Sequence, residues 1–246
     1  MSTQGNGPKE RQLRRQSIWL RDSIAWIMRE KVLDDDGAKT ALDVGCGPGF
    51  VMDIMGEFAD VRGVDIDEDM VMTCRARGLD VERASAFDLP FGDGSFDIVY
   101  CTFLMLWLDD PLSTLDEMSR VSRDRVLCLA EPDFGARIDY PEDLGPVRNL
   151  IIDGIRQRGG DPEIGRKLRE LFHRIGLMVE VGTHPGVWSL EKLRQESRDE
   201  WSFVEEMFPD GVDFSDLKTR WERSLKEGTL FQYNPIFYAL GSKAAR

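Results

Sequence analysis

Two histidines, four cysteines and no long apolar run close off several kinds of chemistry in this 246-residue chain. Cys46, Cys74, Cys101 and Cys128 form no Cys-x-x-Cys pair and show no metal-ligand spacing. That speaks for reduced, mostly buried thiols in a cytoplasmic protein, not for a disulfide framework, a cluster or a redox centre. No metal site is expected. The longest apolar stretch, Ile98 to Leu108, contains Thr102 and stops at Asp109. A bilayer span needs about 20 apolar residues, so no membrane-spanning helix is expected. Residues 1–9 are polar and the apolar helix pattern after them is full of arginine, unlike a secretory leader. Positive charge is also short: 32 Lys and Arg stand against 45 Asp and Glu, a net charge of −13. Non-specific binding to nucleic acid relies on basic residues that displace counterions, so this balance argues against a nucleic-acid partner. No internal repeat or low-complexity segment is present.

What remains is the balance of a globular protein, 41% hydrophobic and 31% charged. The chain is long enough for one α/β domain with a modest insertion. Residues 9–31 read as a helix, with Leu13, Leu20, Ile24 and Ile27 at helical spacing and Trp19 and Trp26 beside them. Asp34 to Gly37 reads as a turn. Strands are predicted at 40–44, 61–65, 79–83, 96–101 and 124–130, with helices near 50–58, 68–76 and 110–122. Such alternation implies a doubly wound, Rossmann-like, mostly parallel sheet with helices on both faces. Further on, a helix at 161–175, a strand at 177–182, helices at 189–207 and 213–226, and a strand pair or long strand at 229–241 are predicted. The division is an N-terminal helix or lid over 1–39 and a main domain over 40–246. Helical additions over the substrate are expected at 133–160 and 189–227.

Residues 41–49 read Ala-Leu-Asp-Val-Gly-Cys-Gly-Pro-Gly. A short apolar strand carries Asp43, then turns through Gly45, Gly47 and Gly49 into a helix-like stretch. Glycines at such a turn let backbone approach a ligand closely, because no Cβ intervenes, and free N–H groups there would point at it. A dinucleotide fingerprint needs Gly-x-Gly-x-x-Gly; here the pattern is Gly-x-Gly-x-Gly and position 50 is Phe. The next strand closes on Asp65, whose two carboxylate oxygens match the two hydroxyls of a ribose. Asp67 fits the role of cap for the following helix.

The glycine turn with Asp43 upstream resembles the first motif of class I S-adenosylmethionine-dependent methyltransferases. Residues 84–97, Ala-Ser-Ala-Phe-Asp-Leu-Pro-Phe-Gly-Asp-Gly-Ser-Phe-Asp, resemble the segment before the fourth strand in small-molecule members of that group. The run from Cys101 to Pro111 resembles the exit from that strand. Together these motifs cover roughly residues 40–135. The resemblance implies S-adenosyl-L-methionine as cofactor and S-adenosyl-L-homocysteine as product. It implies cofactor contacts from Asp43, Gly45, Cys46, Gly47, Gly49, Asp65, Ile66, Met70, Ser85, Ala86, Phe87, Cys101, Phe103 and Trp107. Ser85 stands where the family usually has an acidic residue for the adenine amino group, and a hydroxyl holds it more weakly than a carboxylate.

Methyl transfer is an in-line displacement whose hard chemistry belongs to the cofactor, so no strong base is required. His184, Glu131, Asp133 and Tyr140 are the candidates if one is needed, with Tyr233 weaker and His173 read as a surface or packing residue. Glu131 and Asp133 would share one side of the fifth strand, facing substrate or holding the loop. Arg11, Arg14, Arg15 and Arg21 form either a lid gripping an anion or a solvated helix face. Tryptophans 19, 26, 188, 201 and 221 lie outside the predicted sheet; they line an acceptor pocket or pack the helices together, and leave room for a homodimer. The expected function is methyl transfer to a small organic acceptor. A non-catalytic S-adenosylmethionine-binding protein, and a methyltransferase acting on RNA or protein, stand as alternatives.

Overall fold

A computed structural model describes residues 8–33, 39–208 and 212–243. The turn read at 34–37 lies outside the described residues. The chain runs α1 (Pro8–Ile27), β1 (Lys39–Val44), α2 (Phe50–Met55), β2 (Ala59–Asp65), α3 (Glu68–Ala76), β3 (Val81–Arg83), β4 (Phe96–Thr102), α4 (Pro111–Val121), β5 (Ser122–Pro132), β6 (Ile138–Tyr140), α5 (Pro146–Gln157), α6 (Leu168–Arg174), β7 (Met178–Thr183), α7 (Leu190–Met207), α8 (Ser215–Glu227), β8 (Phe231–Tyr233) and β9 (Ile236–Ser242). Seven strands form one sheet in the order β3-β2-β1-β4-β5-β9-β7. Pairing is parallel from β3 through β5, and β9 runs antiparallel to both neighbours. This is the mostly parallel, Rossmann-like sheet the alternation implies.

Strand order reverses between β1 and β4, and such a reversal leaves a crevice at the carboxyl ends of the strands. One face of the sheet packs under α1 and α2: Leu20, Ile24, Ile27 and Met28 join Ala41, Ile98, Tyr100 and Leu127 in one apolar cluster. The other face carries α4, α5 and α6, and α7 and α8 complete that cluster through Leu193, Trp201 and Trp221. Trp201 and Trp221 meet edge to face at 6.0 Å. Aromatic packing of this kind stabilises helix contacts beyond simple area burial.

Several boundaries differ from the sequence reading. The first helix stops being α-helical at Ile27 and continues as one π turn through Val32. The helix read at 161–175 is a 3-10 turn (Ile164–Lys167) followed by the short α6. The expected terminal strand pair is divided by Asn234 and Pro235. β8 pairs with β6 in a separate small ribbon, while β9 enters the main sheet between β5 and β7. Proline contributes no N–H to a ladder, so the chain changes sheets there.

Candidate active site

The N–H groups of the glycine turn are taken up within the protein, mostly by the end of β2. The N–H groups of Gly45 and Cys46 donate to the carbonyl of Val64 at 2.8 and 3.0 Å, and that of Gly49 donates to Cys46 at 3.0 Å. Gly47 N donates to Asp65 Oδ2 at 2.7 Å. These N–H groups are therefore not free for a ligand, contrary to the sequence reading. What the glycines contribute is conformation and space. All three have positive φ, where an L side chain is strained. A Cβ on Gly47 would meet only Leu13, at 3.8 Å, whereas one on Gly49 would come within 2.4 Å of Leu79. Gly47 thus borders the crevice and Gly49 packs inward.

Asp43 is buried near the carboxyl end of β1, between Gly63 of β2 and Tyr100 of β4 in register. Among the described residues its Oδ2 has no hydrogen-bond partner, and neither does Thr102 Oγ1 at the end of β4. Burial pushes the Asp43 carboxyl well above the usual carboxylate range, and the neighbouring Tyr100 hydroxyl opposes that shift. Both orphaned oxygens belong to residues lining a small chamber of about 50 Å³ with Gly45, Cys46, Gly47 and Phe103. Leaving buried acceptors unpaired costs roughly 1–3 kcal/mol each, and a donor-bearing ligand in this chamber removes that cost.

A wider groove of about 230 Å³ continues from it. Its walls include Asp65, Ile66, Met70, Ser85, Ala86, Phe87 and Trp107. Asp65 Oδ1 accepts from Asp67 N at 2.9 Å, so this carboxylate braces both the glycine turn and the start of α3. Asp67 caps α3 by accepting from Asp69 N. Ser85 Oγ accepts from Phe87 N at 3.2 Å, leaving its hydroxyl proton available to a ligand. Ile66, Phe87 and Trp107 are apolar yet exposed, as the lining of a ligand groove is. Of the fourteen residues expected to hold cofactor, two are not brought to these chambers. Gly49 packs against Leu79 and Cys74. Cys101 is buried between strands, its sulfur 3.6 Å from that of Cys128. The four cysteines are all buried and free.

The residues considered as bases are already engaged. Glu131 Oε1 accepts from Leu104 N and Met105 N at 3.0 Å each, and Oε2 accepts from Leu106 N at 3.3 Å. It is fully buried and holds the loop after β4. Burial raises its carboxyl to about 8 against the pull of these three N–H groups. Asp133 accepts twice from Arg166, at 2.6 and 2.7 Å. His184 has Leu129 O at 2.6 Å from Nε2 and Ser23 Oγ at 2.7 Å from Nδ1. The carbonyl can only accept, so Nε2 carries the proton and Nδ1 accepts from the serine. Burial also lowers the His184 pKa, which keeps the ring neutral. Tyr140 is exposed on β6, Tyr233 lies opposite Ile138 on β8, and His173 is exposed on α6.

Beyond Phe103 lie two more chambers. The inner one, about 70 Å³, is lined by Trp19, Phe134, Arg137, His184, Trp188, Glu200 and Asn234, among others. The outer one, about 390 Å³, has Leu106, Trp107, Phe134, Ile155, Arg158 and Phe203 in its walls. Gln12, Gln16, Phe103, Phe134 and Phe203 line both. Phe103 borders all four chambers and has φ 52, the one positive value among the described non-glycine residues. Non-glycine residues in that region carry backbone strain and concentrate at functional sites. The arginines of α1 pair with the protein itself. Arg15 donates to Glu196 at 2.6 Å, Arg21 donates to Glu57 at 2.6 Å, and Arg14 stacks over Phe50. Sequence reading missed Thr102, Arg137, Glu200 and Asn234. Only Thr102 carried a signal, as the polar break in an apolar run at a strand end.

Residues 42–130 match the family model described as a methyltransferase domain. A demethylmenaquinone methyltransferase from Bacillus licheniformis is 33% identical over 115 residues, covering 41% of this chain and 50% of that protein. The solved structure of a putative methyltransferase from Bacillus halodurans is similar with a TM-score of 0.59 at 18% identity, covering 91% of this chain and 100% of that one. The phosphoethanolamine N-methyltransferase 2 of Haemonchus contortus, solved in complex with S-adenosyl-L-methionine, gives a TM-score of 0.60 at 16% identity over 91% of this chain and 52% of that one. The chain spans about half the length of the curated relatives it matches. The fold is Rossmann-like, as in these methyltransferase structures, and residues 42–130 carry the methyltransferase-domain match. Over residues 42–130 the chain is similar to the class I S-adenosylmethionine-dependent methyltransferases.

Proposed function

We propose that this protein transfers a methyl group from S-adenosylmethionine to a small organic acceptor by in-line displacement, leaving S-adenosylhomocysteine. The observation that carries the reading is the pair of orphaned oxygens, Asp43 Oδ2 and Thr102 Oγ1, beside a glycine turn whose missing side chain keeps the chamber open. A cofactor amino group held there would satisfy buried acceptors that no described residue satisfies. Asp65 has lone pairs left for ribose hydroxyls after bracing Gly47 and Asp67. Ser85, Ala86 and Phe87 border the adenine end, and Ile66, Met70 and Trp107 supply its apolar walls. Bound S-adenosylmethionine would supply the electrophile, a methyl on a positively charged sulfur.

The protein's own part is alignment and exclusion of water. Glu131 fixes the loop after β4 and thereby the strained backbone of Phe103, which separates the cofactor chambers from the acceptor chambers. The described parts of the segment 1–39 and of the additions at 133–160 and 189–227 act as the cover of the acceptor end, with α1, α5 and α7 forming its walls. No residue is assigned as general base, because Glu131, Asp133 and His184 are committed to internal hydrogen bonds. Calorimetric titration with S-adenosylmethionine, S-adenosylhomocysteine and NAD tests the reading. Binding of the two adenosyl ligands but not NAD is the expected result; binding of NAD alone, or of none, overturns it. Methyl label recovered in macromolecules instead of a small-molecule fraction would overturn the acceptor class.

A further inference from the structure

Arg137 is 2% exposed and anchors a buried ionic cluster. It donates to Asp139 at 2.8 to 3.1 Å through Nε and Nη2, and to Glu200 Oε1 at 2.9 Å through Nη1. Gln232 Nε2 donates to the same Glu200 oxygen at 3.2 Å. Glu200 is itself nine-tenths buried and lines the inner chamber, and among the described residues its two donors, Arg137 and Gln232, both reach Oε1 and leave Oε2 to a ligand. Asn234 Oδ1, from another lining residue, is also buried and unpartnered. The oxygens left over on this wall are therefore acceptors that need donors.

The charge around the chamber is unbalanced. Behind the Trp19 and Trp188 pair, whose rings lie 4.6 Å apart, stand Arg15 and Lys192, with Glu196 and Asp199 ion-paired to Arg15. With Arg137, Asp139 and Glu200 included, the carboxylates exceed the cations by one, and His184 is neutral. An anion here would face a buried carboxylate at high cost. An ammonium would meet a carboxylate oxygen, an amide oxygen and the aromatic side chains of Phe103, Phe134 and Phe203, all of which favour a cation. The chamber of about 70 Å³ fits a head group only, whereas the adjoining 390 Å³ admits a body.

We infer that the inner chamber is a recognition subsite for a protonated amine on the acceptor, its apolar body lying in the outer chamber against Phe203 and Trp107. This rests on the methyl-transfer reading. The amine is an anchor, not the methylated atom, because a carboxylate that holds the ammonium form also withholds the lone pair that attack would need. Glu200 and Asn234 are then the specificity-determining residues.

The test uses phenethylamine, phenethyl alcohol and phenylacetate, which share one skeleton and differ in the head. Binding to the full chain is measured by calorimetry with and without saturating S-adenosylhomocysteine. The amine is expected to bind at least about tenfold tighter than the carboxylate, with the alcohol between them. Glu200→Gln keeps an oxygen for Arg137 and is expected to erase that preference while S-adenosylhomocysteine affinity stays within about twofold. Phenylacetate binding as tightly as the amine, absence of binding by all three, or a preference that survives in Glu200→Gln overturns the inference. The two failures separate: loss of the amine preference with intact S-adenosylhomocysteine binding sinks the subsite alone. Absence of S-adenosylhomocysteine binding sinks the transfer reading on which it rests.

Discussion

At one end of the cleft, Asp43, the glycine turn and Asp65 come from a single strand–turn–helix–strand passage. At the other, Arg137, His184, Glu200 and Asn234 come from four separate stretches of the second half of the chain. The first end is shaped mostly by backbone: carbonyls of Val64 and Cys46 fix the turn, and absent side chains leave the space. The second is shaped by side chains, through a buried ionic cluster and aromatic walls. A backbone-built site tolerates little change in chain geometry but keeps the same ligand. A site built from side chains can be rewritten without disturbing the sheet. Under the proposed function, that difference would let one fold keep its cofactor end while its acceptor end varies.

The comparison breaks most visibly at Arg137. Arg137→Met leaves Asp139 and Glu200 buried without their cation, and breaking a buried pair in this way costs about 3–5 kcal/mol. Chemical denaturation is expected to show that loss, while the glycine turn, on the far side of Phe103, still binds S-adenosylhomocysteine in whatever fraction folds. A variant as stable as the wild type would show that the cluster is not the support of the acceptor end. Gly47→Val probes the other end. Open space exists for the side chain, so the fold bears chiefly the positive-φ strain, roughly 1–2 kcal/mol. Binding of S-adenosylhomocysteine should fall at least a hundredfold, about 2.7 kcal/mol, and calorimetric affinity close to wild type would remove Gly47 from the site.

Asp65→Ala removes a charged acceptor and also frees the N–H of Gly47. The expected loss in S-adenosylhomocysteine affinity is about 1–3 kcal/mol, with Asp65→Asn losing less. Equal affinity in all three proteins would leave Asp65 as a purely structural brace.

Glu131 connects the two ends and gives a pH signature. Its carboxyl is raised on folding from 4.5 to about 8, so the folded protein holds a proton that the unfolded chain releases between those values. The resulting stability is complete below the unfolded value and declines as pH rises through about 8, by roughly 1.4 kcal/mol per pH unit within the window. Denaturation profiles of the wild type and Glu131→Gln should diverge with that sign, and parallel profiles would contradict it. The smallest effect is at Phe103. Phe103→Gly relieves the positive φ, worth about 1 kcal/mol, but removes the partition between the chambers. Stability near wild type with slowed transfer to any acceptor is the expected pairing, read by thermal melting and turnover together.

The ends also differ in how far they can be read from residues alone. Strands β1 to β5, the glycine turn, Asp65 and the cap at Asp67 follow from short-range patterns: apolar strands, positive-φ glycines and a carboxylate at a strand end. Proposed acids and bases did not, because Glu131, Asp133 and His184 lie where a cleft would be but take partners distant in the chain. Glu131 meets the loop of Leu104 to Leu106, Asp133 meets Arg166, and His184 meets Ser23. Nor could the arginines of α1 be resolved into lid or solvated face, since their partners are distant in the chain, Glu57 in the turn after α2 and Glu196 on α7. Tryptophan placement was equally hidden: Trp201 and Trp221 are buried against each other, and Trp26 stays half-exposed under Lys31.

By itself, then, the amino-acid sequence determined the sheet, the crevice at its strand ends and the turn that lets backbone approach a cofactor. Those features depend on residue type at local spacing, and local spacing is what a sequence records. Tertiary structure alone decided that β8 leaves the main sheet for β6, that Asp43 and Thr102 keep unpaired oxygens, and that Arg137, Glu200 and Asn234 meet beside one chamber. Those outcomes depend on which distant segments share space once the core closes, and burial then sets the charge and hydrogen-bonding state of each group.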